Sequence, residues 1–423
     1  MDFQLPRGTR DFKPKEAILL NEIIRKISET YVRFGFYPIE TPSIESTSTL
    51  NAKAYGEEST KEIFLIQDSD AGLRYDLTVP LSRYFALNKD MPLPFKRFQI
   101  GRIWRREEPQ KMREREFIQA DVDIVGSTSV SSDAEVIAAP AAALNALGID
   151  YKIHINSRVL ANGMLSIFGI EDQKKPAALR IIDKLEKISI DDAKAQLVAL
   201  GIAQNKAEEL LSFITSEEEN KIQKLIAQDP SLKRESDKLG KLLSILKLYG
   251  IENVVTNLAL VRGLDYYTGF VWEFKAEGKG ANLPTITAGG RYDNLIGIFA
   301  GQNVPATGTS IGISRIFELL YDPKAASPST YARLFVAYIG EENLDYAIFV
   351  AQRMRAAGIA TDMNVMERSL SKQLEYANAL SIRYAIILGD IERSRNKVKL
   401  RDLVSGNEVT LEIDAAIEAI KSD

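Results

Sequence analysis

Apolar and polar residues alternate most regularly between Phe98 and Gly126, and this pattern predicts two β-strands joined by a long charged loop. The second strand has two faces, one carrying Phe117, Gln119, Asp121 and Asp123 and the other carrying Ile118, Ala120, Val122 and Ile124. Because the side chains of a strand alternate with a period of two, one face packs on a core while the other meets something polar. Because Trp104 lies beside so many charges, the pattern favours a pocket lined by these side chains. The alternative is a solvated hairpin with ordinary surface charge.

The segments before this hairpin predict a helix, short strands and a strand-to-helix junction. Apolar residues recur at three- and four-residue steps over 15–34, which indicates a helix with one buried stripe, and a strand follows at 36–40. A second hairpin is predicted over 63–76, closed by Asp76. Thr78 is predicted to cap the next helix. Asp76 and Thr78 are therefore candidate site residues, although a simple helix cap explains them equally well.

Two regions after the hairpin are predicted to be helical. Ser132, Asp133 and Glu135 have the spacing of a capping box, which predicts the start of an alanine-rich helix. Residues 170–250 are rich in Lys, Glu and Leu and contain few Gly or Pro. They are predicted to form an all-helical insertion of short amphipathic helices, with mostly solvated charges.

Three later stretches carry charges or glycines at breaks in the pattern. A strand is predicted to end near Arg262, and an arginine rarely follows such an apolar run without a fixed partner. Residues 288–293, Ala-Gly-Gly-Arg-Tyr-Asp, predict a glycine turn in which the backbone closely approaches another group. A strand over 309–311 leads to Ser314, a predicted N-cap, with Arg315 in the first helical turn. A cation there opposes the helix dipole by roughly 0.3–1 kcal/mol, which is reasonable if an anion shares the site.

Beyond a linker at 323–329, strands and helices alternate and predict an α/β domain. One later strand carries Lys397, Lys399 and Arg401 on one face, with Arg393 and Arg395 just before it, and we call these five residues the basic strip. Such a strip can bind phosphates, but a solvated strand face explains it as well.

Composition narrows the possible chemistry. The 423 residues include no Cys and a single His, His154, which excludes disulfides and Cys-ligated metal sites and makes a His-based metal site or triad implausible. No apolar run reaches membrane length and the first ten residues lack a secretory apolar region, so a cytoplasmic protein is expected. The net charge is −4, so a nucleic-acid partner must be met by local basic patches. Neither GxxxxGK[ST] nor GxGxxG occurs, which excludes P-loop and Rossmann nucleotide sites.

The chain resembles class II aminoacyl-tRNA synthetases over nearly its whole length. The helix ending at Phe34, with its strand and Pro42, is similar to motif 1, the dimer element. Residues 104–123 are similar to motif 2, and residues 308–315 to motif 3.

The resemblance is more specific to the histidyl branch of this class. Leu-Val-Arg-Gly-Leu-Asp-Tyr-Tyr at 260–267 and Ala-Gly-Gly-Arg-Tyr-Asp at 288–293 are the two stretches peculiar to the histidyl enzymes. Leu-Arg-Tyr-Asp-Leu-Thr at 73–78 takes the form found in archaeal and eukaryotic members, whereas many bacterial members have Glu in place of Asp76.

The resemblance implies roles for individual residues, of which Arg105 and Arg262 would be catalytic at the ATP α-phosphate. The residues implied to bind histidine are Asp76, Leu77, Thr78, Arg105, Gln119, Asp123, Arg262, Tyr266, Tyr267 and Tyr292. The residues implied to bind ATP are Arg105, Glu107, Arg113, Phe117, Arg262 and Arg315. No residue is implied to bind a metal directly, and Mg²⁺ is expected to accompany ATP.

The implied activity is the ligation of L-histidine to tRNA(His) by a homodimer, through a histidyl-adenylate intermediate and with no membrane. The implied fold is α+β, an antiparallel sheet with flanking helices, a helical insertion and a C-terminal α/β anticodon-binding domain. The expected divisions are a catalytic domain in two parts, 1–169 and 251–322, the insertion at 170–250 and the anticodon-binding domain at 331–423.

Two alternatives carry other functions. One is a non-catalytic paralogue, the regulatory subunit of ATP phosphoribosyltransferase, which typically lacks the C-terminal domain and the arginine-bearing stretch around Arg262. The other is a non-catalytic tRNA-sensing module, against which the set Arg105, Gln119, Asp123, Arg262 and Arg315 argues.

Overall fold

The structure is a computed structural model that describes residues 3–52, 63–110, 112–216, 218, 220–261, 266–280, 285–324 and 329–422. The chain divides into two compact units, Met1–Arg10 with Ile23–Leu320 and Asp11–Glu22 with Tyr321–Asp423. Helix α1, Pro14–Arg33, confirms the first predicted helix.

The first unit contains ten strands in the described part of the chain. They are β1 Tyr37–Pro38, β2 Ile44–Ser46, β3 Ala71–Leu73, β4 Phe95–Trp104, β5 Glu116–Val125, β6 Tyr151–Ser157, β7 Val254–Thr256, β8 Phe270–Ala276, β9 Thr287–Arg291 and β10 Ala306–Gly312. Its helices after α1 are α2 Thr47–Leu50, α3 Thr78–Leu87, α4 Val130–Ala146, α5 Arg158–Ile167, α6 Lys175–Ile182, α7 Ile190–Ala199, α8 Gln204–Thr215, α9 Lys221–Gln228, α10 Lys233–Leu248, α11 Leu295–Ala300 and α12 Ile313–Leu320.

Eight of these strands form one sheet in the order β1-β4-β5-β10-β9-β8-β6-β7. All neighbours are antiparallel except β1 with β4 and β6 with β7. The predicted hairpin of β4 and β5 forms the second and third strands, and β2 and β3 pair separately. The antiparallel sheet with flanking helices confirms the predicted fold class.

Helix α4 packs on one face of this sheet. Its alanines allow a close approach, and the Thr309 hydroxyl on β10 donates to the Val136 carbonyl at 2.6 Å. The Trp272 indole donates in turn to the same hydroxyl at 2.9 Å. The apolar side of β5, including Ala120 and Val122, is fully buried. The opposite face, which carries the polar side chains, is therefore the one left for a site.

Three predicted helix caps are wrong. Helix α3 begins at Thr78, and the capping bond comes from Asp76, whose carboxylate accepts from the Val79 amide at 3.0 Å. Helix α4 begins at Val130 and is capped by Ser129, so the predicted capping box over residues 132–135 is wrong. Ser314 lies inside α12, because the helix starts directly after β10. At α3 and α4 the error is at most three residues, because a second polar side chain, Asp76 or Ser129, makes the capping bond instead.

Two strand assignments are also wrong. Residues 258–261 do not form a strand, and the short strand β7 precedes them. The predicted glycine turn at 288–293 is mostly strand β9, in which paired glycines let neighbouring strands approach closely. Arg262 was expected beside the first of these segments and lies outside the described residues.

The described part of residues 170–250 is helical, as predicted, and forms α6 to α10 with a short 3₁₀ turn at Pro230–Leu232. One leucine or alanine stripe of each helix is buried, including Leu179, Leu197, Leu210, Leu225 and Leu242. Their charges lie mostly on exposed faces.

The second unit confirms the predicted α/β domain. Its strands are β11 Leu334–Tyr338, β12 Thr361–Met363, β13 Tyr384–Leu388, β14 Lys397–Asp402 and β15 Glu408–Glu412, and its helices beyond residue 320 are α13 Leu344–Ala356, α14 Leu370–Ala379, α15 Asp390–Ser394 and α16 Ile413–Lys421. The sheet order is β12-β11-β13-β14-β15. Helices α13 and α16 share one core with the sheet, and α14 packs in a second cluster with Phe335.

Candidate active site

Strand β5 lies at the centre of the candidate site, and its register with neighbouring strands aligns polar groups with small ones. Arg97 on β4 lies opposite Asp123, which lies opposite Gly308 on β10, which lies opposite Gly290 on β9. Directly opposite residues of paired strands share a face. The row therefore consists of a guanidinium, a carboxylate and two glycines on one side of the sheet.

Two parallel rows continue this face. Gln99, Asp121, Ser310 and Ala288 form one row, and Gly101, Gln119 and Gly312 form the next. Phe117 lies one step further along β5, opposite Ile103. Small residues thus flank the acidic and amide side chains of β5 on this face of the sheet.

Two glycines of this floor cannot be replaced without collision. A β-carbon on Gly308 would lie 1.9 Å from an Asp123 carboxylate oxygen, and one on Gly290 would lie 2.6 Å from the Tyr267 ring. Both distances are far below van der Waals contact. Glycine is required here because other side chains occupy the space that its own would take.

Asp123 is held from two sides. The Arg97 Nη2 atom lies 2.7 Å from Asp123 Oδ2 in a fully buried ion pair, and it donates to the Leu77 carbonyl at 3.2 Å. The Tyr292 hydroxyl donates a hydrogen bond to Asp123 Oδ1. The carboxylate expected to meet the imidazole ring is therefore fixed in place by Arg97 and Tyr292. Leu77 contributes to this arrangement through its carbonyl, which accepts the hydrogen bond from Arg97, while its side chain is fully buried.

Burial dominates the electrostatics of the two acids on β5. Burial raises the pKa of Asp121 to about 7, while Arg97 lowers it and the neighbouring Asp123 raises it further. Burial likewise raises the pKa of Asp123, against the lowering effects of Arg97 and of the Tyr292 hydrogen bond. Arg97 thus contacts Asp123 and lies within electrostatic reach of Asp121, and the two carboxyl groups cannot both ionise cheaply.

Three tyrosines form a wall beside Asp123. The ring centroids of Tyr266 and Tyr267 are 4.6 Å apart, and Tyr266 meets Tyr292 edge-on at 5.8 Å. Burial, then the neighbouring Tyr267 and Asp76, raises the pKa of Tyr266 well above its usual value. The structure therefore brings Asp76, Asp123 and the three predicted tyrosines into one cluster.

Arg105 lies at the loop end of the hairpin. Its Nε atom donates to the Tyr75 carbonyl at 3.2 Å, next to Asp76, and its guanidinium lies 5.2 Å from the centre of the Phe117 ring. Glu107 and Arg113 form an ion pair across the same loop. The residues implied to bind ATP thus adjoin the histidine-binding set along β5.

Arg315 reaches the same face from helix α12. It is the third residue of the helix, and its guanidinium donates to the Thr285 carbonyl. A β-carbon on Gly312 would lie 3.6 Å from the Arg315 side chain, in ordinary contact. Because Gly312 lies opposite Gln119, Arg315 stands beside the middle of the polar face.

The sequence pattern missed two arginines in this region. Arg97 alternates with Gln99 on β4, so the strand period alone could have placed it on the polar face. Arg74 is buried and donates to the carbonyls of Arg102 at 2.9 Å and Thr41 at 2.7 Å. No sequence signal distinguishes Arg74 from its neighbours, since its partners are backbone atoms of distant segments.

A third missed arginine anchors the strand that ends at Tyr292. Arg291 is buried and pairs with Asp133 at 2.9 Å. It also donates to the Ser127 carbonyl at 2.8 Å, the Ser129 carbonyl at 3.2 Å and the Ser132 hydroxyl at 3.0 Å. These bonds tie β9 to the first turn of α4.

An antiparallel sheet whose polar face combines arginines, an amide and carboxylates has the arrangement expected of a class II aminoacyl-tRNA synthetase. The histidyl-tRNA synthetase family model matches residues 8–316, and an anticodon-binding domain model matches residues 333–423. The chain belongs to the histidyl-tRNA synthetase family.

Individual relatives agree with this assignment. The chain is 36% identical to a histidine–tRNA ligase from Korarchaeum cryptofilum, over 99% of this chain and 98% of the relative. It is similar in structure to the histidyl-tRNA synthetase of Nostoc sp. PCC 7120, with a TM-score of 0.87 and 29% identity over 100% of this chain and 99% of that one.

A third similarity concerns the fold alone. A protein from Bacillus halodurans, described as an ATP phosphoribosyltransferase regulatory subunit/histidyl-tRNA synthetase, matches with a TM-score of 0.75 and 23% identity, over 92% of this chain and 97% of that one. The fold is therefore shared beyond close relatives, and site residues must decide function. Among the described residues, no helix is both long and apolar enough to span a membrane.

Proposed function

We infer that this protein joins L-histidine to tRNA(His) in two steps, through a histidyl-adenylate. The observation that carries the inference is the continuous polar face of β5, which joins Phe117 at one end to Asp123 at the other. Family membership over nearly the whole chain supports the same reaction. The polar face of β5 thus offers a nucleotide subsite and an amino-acid subsite next to each other.

The amino-acid subsite lies at the Asp123 end. Asp76 and Gln119, with Thr78 and the Leu77 backbone, are proposed to bind the histidine amino group. Asp123 is proposed to meet the imidazole ring, with Tyr266, Tyr267 and Tyr292 around it. This assignment is supported by the burial of the Asp123 carboxylate and by its fixed position between Arg97 and Tyr292. A carboxylate is the acceptor that a ring N–H requires.

The nucleotide subsite lies at the loop end. Arg105 is proposed to hold the ATP α-phosphate, and Phe117 to stack on adenine. Glu107 and Arg113 are proposed to contact the adenine and the triphosphate, and Arg315 to hold the other side of the nucleotide. Arg262 is proposed to bridge the histidine carboxylate and the α-phosphate, on the family resemblance alone.

The proposed chemistry needs positioning more than a protein nucleophile. The histidine carboxylate attacks the α-phosphate, and pyrophosphate leaves; the terminal tRNA hydroxyl then attacks the acyl carbon, and AMP leaves. Neutralising charge on the phosphate is the main requirement for such transfer. Arginines are suited to it, because their planar guanidinium can contact two oxygens at once.

Mg²⁺ is proposed to arrive with ATP. Within the described residues, no group of three or more His, Asp or Glu side chains could hold a metal ion. Mg²⁺ typically keeps several waters and binds through substrate phosphates in nucleotide sites. In such a site the ion would be held mainly by the nucleotide.

A cytoplasmic homodimer that binds tRNA(His) completes the proposal, with the domain divisions expected from the sequence. The segment similar to motif 1 supports dimerisation, since Tyr37 on β1 is 64% exposed and Ile44 on β2 is 52% exposed in the single chain. Contiguous exposed apolar surface commonly marks an interface. The match of residues 333–423 to an anticodon-binding domain supports tRNA binding.

Histidine-dependent exchange between ATP and pyrophosphate, measured without tRNA, tests the proposal. We expect exchange that requires histidine and is not supported by the other amino acids. A regulatory paralogue or a tRNA-sensing module would show none, and such a result would overturn the enzyme assignment.

A further inference from the structure

A short segment before helix α1 contacts both elements that carry arginines of the proposed nucleotide subsite. Residues 6–10, which belong to the first unit, form this segment, and we call it the arm. A turn at its start is closed by Thr9, whose amide donates to the Pro6 carbonyl at 3.2 Å and whose hydroxyl donates to the same carbonyl at 2.8 Å. The arm contains none of the residues proposed to bind histidine or ATP.

The Gly8 carbonyl binds the end of the charged loop between β4 and β5. It accepts from the Arg115 amide at 2.8 Å and from the Glu116 amide at 3.2 Å. Gly8 has a φ of +81°, and a β-carbon there would lie 2.8 Å from Arg115 Cγ and 3.0 Å from the Arg115 amide nitrogen. Glycine is therefore required at residue 8 both by its backbone conformation and by the close approach of the loop.

Arg115 connects this contact to the residues implied to bind ATP. Its carbonyl accepts from the Arg105 amide at 2.8 Å, and its Nε atom donates to the Glu107 carbonyl at 2.9 Å. Glu107 in turn pairs with Arg113. Contacts of the loop thus converge on Arg115, whose own amide is bound by Gly8 from outside the hairpin.

Arg10 connects the same arm to helix α12, which carries Arg315. The Arg10 guanidinium forms an ion pair with Glu318 and lies 5.1 Å from the centre of the buried Phe317 ring. The loop residue Glu114 lies within electrostatic reach of the same pair, since burial raises the pKa of Glu114, Arg10 lowers it and Glu318 raises it further. The arm therefore bridges the charged loop and helix α12.

We propose that Gly8 and Arg10 are positioning residues for the nucleotide subsite, which hold the charged loop and helix α12 in their relative positions before ATP binds. The inference rests on the proposed function, in which Arg105 and Arg315 hold the nucleotide. A loop that is already ordered loses less conformational entropy when a ligand binds, so the contacts of the arm strengthen ATP binding. Both residues act through other protein groups and not through contact with ATP.

A purely structural role of the arm would have a different kinetic signature. If its contacts only stabilised the fold, their loss would reduce the fraction of active enzyme, and kcat would fall while the KM for ATP stayed constant. Loss of positioning raises the KM for ATP instead, because the loop must then be ordered at the expense of binding free energy. The KM for histidine should not follow, since Arg97 and Tyr292 fix Asp123 at the other end of β5.

Steady-state exchange between ATP and pyrophosphate by the full-length protein, with ATP and histidine varied in turn, separates these outcomes. Arg10→Ala should raise the KM for ATP about three- to fivefold, toward the upper end for a partly exposed ion pair, and change kcat and the KM for histidine less than about twofold. Arg10→Lys keeps a cation beside Glu318 and should stay within about twofold of the wild type. Arg7→Ala is the matched control and should behave as the wild type, because Arg7 lies in the same arm and its 3.7 Å contact with Glu108 joins two exposed side chains.

Glu318→Ala removes the other partner of the ion pair and tests whether Arg10 acts through helix α12. Alone it should raise the KM for ATP as much as Arg10→Ala does. The double variant should differ from either single variant less than about twofold, because both changes remove the same contact. Effects that multiply in the double variant would overturn the route through Glu318.

Hydrogen exchange of the ATP-free protein tests the contact at Gly8 without relying on activity. The amides of Arg115 and Glu116 should exchange at least roughly tenfold faster in Gly8→Ala, while those of β11 in the second unit should be unchanged. The same variant should raise the KM for ATP roughly tenfold, because a displaced loop moves Arg105. If Gly8→Ala does not fold, the Arg10 variants still decide the proposal.

Failure of the inference and failure of the proposed function give different results. An unchanged KM for ATP in Arg10→Ala, or a fall in kcat alone, would overturn the inference in a protein whose wild type is fully active. A wild type without histidine-dependent exchange would refute the proposed function. Calorimetric titration of the same variants with ATP would then test the arm by itself.

Discussion

Two strands of this protein carry alternating charges, yet only one of them builds a pocket. On β14, Lys397 lies opposite Glu412 of β15 and pairs with it at 3.1 Å, and Arg401 pairs with Glu408, its opposite residue, at 3.1 Å. On β5, the residue opposite Asp123 on β10 is Gly308. Opposite residues on β15 therefore neutralise Lys397 and Arg401 in contact with solvent, whereas Asp123 is paired in the protein interior with Arg97 on β4, and Gly308 on β10 leaves the space that the Asp123 carboxylate fills.

Burial separates the two regions further. The cations of β14 are more than a third exposed, so each pair contributes at most about 1 kcal/mol to stability. Lys399 adds a longer contact with Glu392, at 4.0 Å. These contacts favour the solvated strand face, one of the two interpretations of the basic strip. A strand with alternating charges indicates a site when its charged side chains are buried and the opposite residues on a neighbouring strand are small.

The largest effect is expected from removing Arg262, which the family resemblance places at the reacting phosphate. Arg262→Ala should slow adenylate formation by on the order of 10²–10³, because one preorganised donor of transition-state charge is lost. Arg262→Lys should restore little, since an ammonium cannot fork between two oxyanions. Single-turnover kinetics at saturating histidine and ATP measure the rate, with circular dichroism as the folding control. A near-normal rate in the alanine variant would remove Arg262 from the catalytic set.

The second-largest effect is expected from removing Asp123, the acid that lies between Arg97 and Tyr292. Asp123→Ala should raise the KM for histidine by the equivalent of about 1–3 kcal/mol, because a buried polar group of the ligand is left unpaired. The KM for ATP should change little, since the nucleotide subsite lies at the other end of β5. Steady-state exchange kinetics with each substrate varied in turn measure both constants. Equal damage to the two would indicate a folding or nucleotide role for Asp123.

A matched pair of glycine substitutions tests whether small neighbours make the pocket. Gly308→Ala should displace the Asp123 carboxylate and raise the KM for histidine roughly tenfold, with an overpacking cost of about 1–3 kcal/mol in stability. Gly312→Ala, on the same strand and face, adds a methyl group in ordinary contact and should change the KM for histidine less than twofold. Similar behaviour of the two variants would contradict the argument from close approach. Thermal unfolding of both separates stability from binding.

The smallest effect is expected on the basic strip. Replacing Lys397 and Arg401 together by alanine should change the KM for tRNA less than twofold, because both cations already have partners on β15. Aminoacylation at two salt concentrations measures it. A tenfold loss at low salt that shrinks as the salt concentration rises would show that the strip contacts phosphates after all.

The sequence predicted the elements of the polar face well and its electrostatics poorly. The period of β5 is local, so the face shared by Phe117, Gln119, Asp121 and Asp123 could be assigned without a structure. Which charges balance one another depends on register between distant segments. The pairing of Asp123 with Arg97 therefore stayed hidden, as did the glutamates opposite β14, although both strands were recognised.

The helix caps failed for a related reason. Ser129 and Ser132 are both capable of capping α4; Ser129 caps it, while the Ser132 hydroxyl accepts a hydrogen bond from Arg291 on a distant strand. Whether Arg262 takes the role that its motif implies is a matter for kinetics, since it lies outside the described residues.

Strand β9 and the residue after it place functional side chains on both sides of the large sheet. Arg291 bonds to the first turn of α4 on one side of the sheet, while Gly290 and Tyr292 face the tyrosines and Asp123 on the other. A slip by one residue would exchange these sides, directing an arginine into the pocket and a tyrosine toward the helix. A substitution in this stretch changes one side chain, but the insertion or deletion of one residue would turn every following side chain of the strand to the opposite side of the sheet. Among natural variants we therefore expect length changes in the surrounding loops and constant length between residues 287 and 292.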